Sequence, residues 1–445
     1  MRKRLLTAAA LGAAGLYARR RRPERLGISY QEARRKVVIV GGGFGGIAAF
    51  DQLAQSFAGS EELGVLLLDR VNYTTFWPMV PSAISGNVEV RHMAYPLRRL
   101  VIPRGGEFFQ GEVVGVDFER KKIRTEFGEC DYDHLILAPG SQTAFFGAKG
   151  AKEHAIDLKG LREALEVRGR IIDRFEEAER LRSRVPEGHL TFVFVGGGPT
   201  GVEGVADAHD LIFDVLEDDY PNVDFDRVRL VLINAGERIL QGIDPSLANA
   251  ASRRLAAQRV EVINNTKVEE VSPEHVKLSD GRTLPARTTV WAAGIQPPPL
   301  VEGLEVEKDK RGRIIVDEYM RVKDRPGVYA VGDCITIDYD GPPVPALAQS
   351  AEQEGRSAAL NLAAEIRGEE PIPFRYQHLG QLVDLGETGA LTDILGVRVS
   401  GLLGALIWKG VYLYELGYNL NRAQVLFDWT VDLFTRPNIS KLFVD

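Results

Sequence analysis

The sequence predicts an α/β fold made of two parallel-sheet units, one inserted in the other, followed by a distinct C-terminal region. Three observations predict it. Val37-Val38-Ile39-Val40 runs straight into Gly41-Gly42-Gly43-Phe44-Gly45-Gly46. Phe192-Val193-Phe194-Val195 runs straight into Gly196-Gly197-Gly198-Pro199-Thr200-Gly201. Two further apolar strands that close on glycine turns, within residues 131–141 and 327–334, lie on opposite sides of the second run.

Each glycine run reads as a buried strand, a tight turn and a helix start, the context in which G-x-G-x-x-G binds a dinucleotide. Both units are therefore expected to be Rossmann-like. Gly41 and Gly196 allow the turn, Gly43 and Gly198 let backbone approach a pyrophosphate, and Gly46 and Gly201 let helix pack on strand. The anion then meets unpaired N–H groups and the positive end of the helix dipole. Two such units imply two dinucleotides, one a resident carrier and the other a substrate.

Residues 47–57 read as the first of these helices, and Val65-Leu66-Leu67-Leu68-Asp69 as the next parallel strand. Asp69 stands 23 residues after Gly46, where an acid binds a ribose hydroxyl. Residues 131–141 form a strand leading into the turn Pro139-Gly140. The second unit adds a strand over 228–233 and leaves through Trp291-Ala292-Ala293-Gly294, with Pro297-Pro298-Pro299 as a stiff hinge. The first unit closes on Gly332-Asp333. The expected organisation is an arm over 1–35, one dinucleotide domain over 36–152 and 300–370, the second over 153–299, and a C-terminal region over 371–445.

A chain of 445 residues with 44% apolar and 26% charged residues has ample length for a core. Its two cysteines, Cys130 and Cys334, exclude a disulfide framework and lack the spacing of a redox pair. Residues 1–36 carry eleven Arg or Lys against two Glu, whereas the whole chain is −7. Leu5 to Ala18 is too short to span a bilayer. The arm reads either as a clamp on anionic lipid headgroups or as a solubilising tail. The C-terminal region holds two aromatic-rich segments, around Trp408 and Trp429, interrupted by Lys409, Glu415, Asp428 and Asp432. Leu426, Trp429, Leu433 and Phe434 recur at helical spacing, as core, dimer contact or membrane contact. The histidines His134, His154, His209, His275 and His378 lack ligand spacing, so no metal is expected. The arm lacks aromatic interleaving, so no nucleic acid is expected either.

Several motifs resemble those of the type II (alternative) NADH:quinone oxidoreductases, a family of two-dinucleotide flavoproteins. Residues 146–155 with Leu158-Lys159 resemble the family's linker. Gly198-Pro199-Thr200-Gly201-Val202-Glu203 resembles its second fingerprint. Ala348-Gln349-Ser350-Ala351-Glu352-Gln353-Glu354-Gly355 matches its quinone-site pattern A-Q-x-A-x-Q-x-G, and Trp408 and residues 421–429 resemble its C-terminal docking region. The resemblance implies FAD in the first site, held by Gly41, Gly43, Gly46, Asp69, Gly332 and Asp333. It implies a reduced nicotinamide nucleotide at Gly196, Gly198 and Gly201, and a membrane quinone on the flavin side lined by Gln349 and Gln353. It implies hydride transfer to flavin, then two electrons to the quinone, without proton pumping. Glu203 is expected either to relay protons to the quinone or simply to favour the helix dipole. A peripheral enzyme on the cytoplasmic face of a membrane, and a homodimer, are expected.

Departures from the pattern are specific. Asn234 stands where an NADH-specific member carries Glu, so NADPH is expected to be accepted alongside NADH, with Arg238 a candidate partner for its phosphate. Trp77, Val80-Pro81, the run Gly204-Val205-Ala206-Asp207, and Tyr412 with Tyr414 also differ. Two other readings are open: a sulfide:quinone oxidoreductase, which needs paired cysteines beside the flavin, and a flavin-bound redox sensor with little turnover.

Overall fold

The computed structural model describes residues 25–387, 389–432, 434–435 and 437–441. Two five-stranded, all-parallel sheets dominate it. The first orders its strands Val328–Ala330, His134–Leu137, Arg35–Val40, Leu63–Asp69 and Glu107–Gln110. The second orders Ile156–Asp157, Thr288–Trp291, Thr191–Val195, Arg229–Ile233 and Val260–Ile263. In each, the strand before the glycine run is central and buried on both faces, as its unbroken apolar sequence requires. Phe44–Ser56 and Pro199–His209 are the helices that follow the two runs.

The chain leaves the first sheet, completes the second and returns. The crossing is not a lone proline hinge. Outgoing Gln142–Thr143 pairs antiparallel with returning Ile295–Gln296, and Trp291 Nε1 donates to the Ala144 carbonyl at 3.0 Å. The expected arm is shorter than 35 residues: Leu26 and Tyr30 are each 2% exposed and pack with the first sheet's core. The basic and apolar stretch over residues 1–24 lies outside the described residues.

Beyond the long helix Ala348–Arg367, an antiparallel meander (Gly380–Asp384, Ala390–Ile394, Val397–Gly401) leads to the helices Leu402–Glu415 and Asn419–Asp432. Trp408, Tyr412 and Val425 join the second unit's core beside Val202 and Leu211. Trp408, 3% exposed, is thus a packing residue and not part of a docking surface. The outward side of these helices carries Leu402, Leu403, Leu406, Leu420, Leu426 and Phe427, and Phe434 lies just beyond, all exposed. Of the expected stripe, Leu426 and Phe434 face outward, Trp429 packs against the core, and Leu433 lies outside the described residues. Among the described residues, no helix is long and apolar enough to cross a membrane.

Candidate active site

Both glycine runs open into one cleft of about 1550 Å³, at the carboxyl ends of the two sheets, where open α/β sheets bind ligands. Gly41 (φ +106°) and Gly196 (φ +121°) take backbone that an L side chain resists. A Cβ on Gly46 would lie 1.8 Å from the Gly41 carbonyl oxygen, and one on Gly201 1.9 Å from that of Gly196. Gly46 and Gly201 therefore seat each helix on its turn and do not line the cleft. Gly43 and Gly198 face open space. Each is a helix N-cap with no side-chain bond, and neither helix has an acid in its first turn. Unpaired N–H groups and an uncompensated dipole are left for an anion at both points, which is how two dinucleotide pyrophosphates fit.

The two strand ends differ. Asp69 accepts from Gly42 N at 2.6 Å and Val71 N at 2.9 Å, so its carboxylate braces the first turn while lining the cleft. Burial pushes its pKa up, and these backbone donors oppose the rise. Asn234, 8% exposed, donates to the Gly236 carbonyl at 3.0 Å and to Asn264 Oδ1 at 2.8 Å. Beside it the cleft is lined by Gln241, Thr266 and Lys267, and among the described residues no lining carboxylate comes from 230–270. Arg238 is turned elsewhere, its Nη2 on the Gln241 and Ile243 carbonyls. The expectation that it meets a phosphate is corrected: Arg238 does not line the cleft, whereas Lys267 does.

On the first unit's side, Ser141 Oγ donates to Asp333 Oδ2 at 2.6 Å and accepts from Lys159 Nζ at 2.9 Å. Lys159 lies 4.0 Å from Asp333 and 5.3 Å over the ring of Trp77, and all four residues line the cleft. Burial lowers the Lys159 pKa, against the pull of Asp333. Gly332 N donates to Glu354 Oε2 at 2.6 Å. Burial pushes this carboxyl to about 8, so at neutral pH it holds its proton and fixes the Gly332-Asp333 turn as a neutral group. Neither Lys159 nor Glu354 stands out in sequence, since both sit inside longer motifs with nothing to mark their direction.

The third wall comes from the C-terminal region: Leu382, Ile394, Val411, Tyr412 and Glu415 line the cleft opposite Gln349. Gln349 donates to the Gly380 carbonyl and accepts from Leu379 N, at 2.8 and 2.9 Å. Gln353, one turn on, makes the equivalent pair with Gln377. Both amides staple residues 377–380 to the long helix. Gln349 reaches the cleft, whereas Gln353 does not line it, and each amide commits one of its two N–H donors to a backbone carbonyl. Glu203 lines the cleft and accepts from Asp384 N at 3.0 Å. Burial, reinforced by Asp207, pushes its pKa to about 8. Tyr412 is buried beside it, its phenol pushed up by burial and then by Glu203.

Among the described residues neither cysteine lines the cleft. Cys334 is buried with its thiol on the Val331 carbonyl, which removes the geometric basis for a thiol mechanism. Elsewhere His209, Asp210 and Asp214 bring side-chain nitrogen and oxygen atoms within 4.8 Å of one another.

Residues 35–355 match the family described as pyridine nucleotide-disulphide oxidoreductase. A type II NADH:quinone oxidoreductase of Mycobacterium tuberculosis is 31% identical, over 89% of this chain and 88% of its own. An internal alternative NAD(P)H-ubiquinone oxidoreductase of Solanum tuberosum is 30% identical, over 92% and 89%. The solved structure of the NDH2 of Plasmodium falciparum in complex with NADH superposes with a TM-score of 0.82, covering 92% of this chain and 100% of that one at 20% identity.

Proposed function

The chain belongs to the pyridine nucleotide-disulphide oxidoreductase family, and we propose that it works as a type II NAD(P)H:quinone oxidoreductase that carries FAD. The observation that carries this reading is the shared cleft: two anion-ready helix N-termini face one cavity, whose third wall is a helix that also presents leucines outward. When bound, FAD supplies the two-electron step between nicotinamide and quinone. The protein's residues do the rest. Gly43 and the following N–H groups would hold the flavin nucleotide's pyrophosphate, Asp69 would meet its ribose, and Asp333 with Ser141 would hold the rest of it. Lys159, bonded to Ser141 and 4.0 Å from Asp333, would place a positive charge at the flavin's site. Gly198 receives the pyrophosphate of the substrate nucleotide.

Quinone is a water-poor substrate, so it must reach the cleft from lipid. We place the outward face of Leu402–Glu415 and Asn419–Asp432 against the membrane, because Leu402, Leu403, Leu406 and Phe427 are each at least 60% exposed there and such a patch rarely faces water without a role. The cytoplasmic face and a homodimer complete the proposal. Asn234 and Lys267, with no carboxylate nearby, favour acceptance of a 2′-phosphate alongside a free hydroxyl. Anaerobic stopped-flow tests the whole: NADH or NADPH should bleach the bound flavin and a soluble quinone should restore it. Bleaching by sulfide alone would overturn the assignment.

A further inference from the structure

Reduction of a quinone by NADH balances as NADH + H⁺ + quinone → NAD⁺ + quinol. Each turnover therefore draws one proton from solvent, and a cleft sealed by nucleotide and lipid must be reached by some path. The helix after the second fingerprint carries acids at 203, 207, 210 and 214, spacings of four, three and four that stack them along one face. The stripe continues through the π-helical turn Asp210–Leu216, a local form that recurs at functional positions. Exposure follows the stripe: Glu203 lines the cleft, Asp207 and Asp210 are 1% and 5% exposed, and Asp214 is at the surface.

Glu203, Asp207 and Asp210 are each held by nearby donors, and Asp207 and Asp384 feel the charges of their acidic neighbours. Ser85 Oγ donates to Asp207 Oδ1 at 2.6 Å, while Asp207 Oδ2 is buried with no partner. The residue 384–387 turn runs beside the helix, with Asp384 N on Glu203 and Glu387 N on Asp210 Oδ2 at 3.0 and 2.6 Å. Gly386 (φ +91°) permits that approach, for a Cβ there would sit 2.6 Å from Asp210 Oδ2. His209 Nδ1 lies 3.1 Å from Asp210 Oδ1 at the outer end. Asp384 sits among Glu203, Asp207 and Asp210 and feels their charges. Such a group of buried carboxyls cannot all be ionised, so it holds exchangeable protons at neutral pH.

We propose that Asp207, Asp210 and Asp384 form a proton-conducting ladder that enters at His209 and Asp214 and delivers to Glu203. This rests on the quinone reading above. In each turnover a proton leaves the Glu203 carboxyl for the reduced quinone's oxygen. The Glu203 carboxylate takes a replacement from Asp384 or Asp207, which recovers its proton along the ladder from solvent at the outer end. The other groups facing the ladder are Ser85, with Arg168 on its carbonyl, Glu387 on the turn, Lys409 and Tyr412 on the 402–415 helix, and Arg254 beside Asp214.

The test uses full-length, FAD-loaded enzyme with Asp207→Asn, Asp210→Asn and the exposed Asp214→Asn, read against pH. The two buried variants should be reduced by NADH at near wild-type rates but turn over a soluble quinone about 100-fold more slowly, within the range a positioned proton donor contributes. Their solvent deuterium isotope effect should rise, and azide or formate should restore part of the rate, which no purely structural defect would permit. Asp214→Asn should fold normally and slow turnover only above neutral pH, where bulk protons are scarce. Wild-type turnover and pH profile in all three variants would overturn the ladder, as would losses that small acids do not relieve. If wild-type enzyme were reduced by NADH but never reoxidised by quinone, the functional reading itself would fall, and the ladder with it.

Discussion

The two fingerprint units share a backbone and differ in what their side chains do with it. In the first, the strand-end carboxylate is locked onto the turn and the helix carries a single acid, Asp51, paired with Arg104; it is pressed against a second helix so closely that a Cβ on Gly355 would lie 2.1 Å from the Gly45 carbonyl oxygen. In the second, the strand ends in an amide bonded to its own loop, and the helix carries buried acids along one face. The first unit is built to retain its nucleotide, and the second to exchange one and move protons beside it. The same turn thus serves a resident cofactor or a passing substrate according to residues one or two turns away.

Glycine substitution should break the comparison with the largest effect. Gly46→Val and Gly201→Val each drive a side chain into a carbonyl, a clash of the kind that costs on the order of 3 kcal/mol or more. Gly46→Val should purify without FAD, whereas Gly201→Val should keep its flavin spectrum and lose reduction by NADH. If both variants lost flavin equally, the units would not be functionally separate. Next comes the strand end. Asn234→Glu should lower the NADPH/NADH ratio of kcat/KM by about tenfold, roughly 1.4 kcal/mol, and Lys267→Ala should lower the NADPH value while leaving NADH nearly unchanged. An unmoved ratio in both would remove the specificity argument.

A separate effect is expected on stability. Glu203 is neutral when folded up to about pH 8 but ionised in the unfolded chain above its ordinary range. Its contribution is therefore fully present at acid pH and lost as pH rises toward 8, by at most about 1.4 kcal/mol per pH unit. Glu203→Gln should flatten the decline of urea-unfolding stability between about pH 5 and 8; a parallel curve would mean that the carboxyl is already ionised when folded. The mildest change lies outside both units. Leu406→Glu should weaken binding to lipid vesicles a few-fold, with soluble-quinone turnover and melting temperature unchanged.

The parallel strands and both turns were legible because they depend on local rules: continuous apolar runs, then glycine where φ must be positive. Asp69 and Asn234 were legible by their distance from those turns. Trp408, Gln353 and Arg238 were misread because their neighbours come from far along the chain. An indole faces lipid or core according to what packs behind it, and the partners of Gln353 are backbone groups at 377. The acidic stripe was present as spacing, yet ordinarily such spacing marks a solvated face. Segments far along the chain, Ser85 before it and the turn at 384–387 some 180 residues on, close it from water.

The contact between Gly45 and Gly355 has a consequence for how this enzyme can change. The helix that carries the glutamine staples cannot move away from the helix that faces the flavin's phosphates without losing this seat, nor move closer. The spacing between the first glycine turn and the glutamine staples is therefore set by a pair of hydrogens, while the meander and terminal helices beyond remain free to diverge. Natural variation in the acceptor or in the lipid it comes from should accumulate after residue 377 and leave that crossing alone.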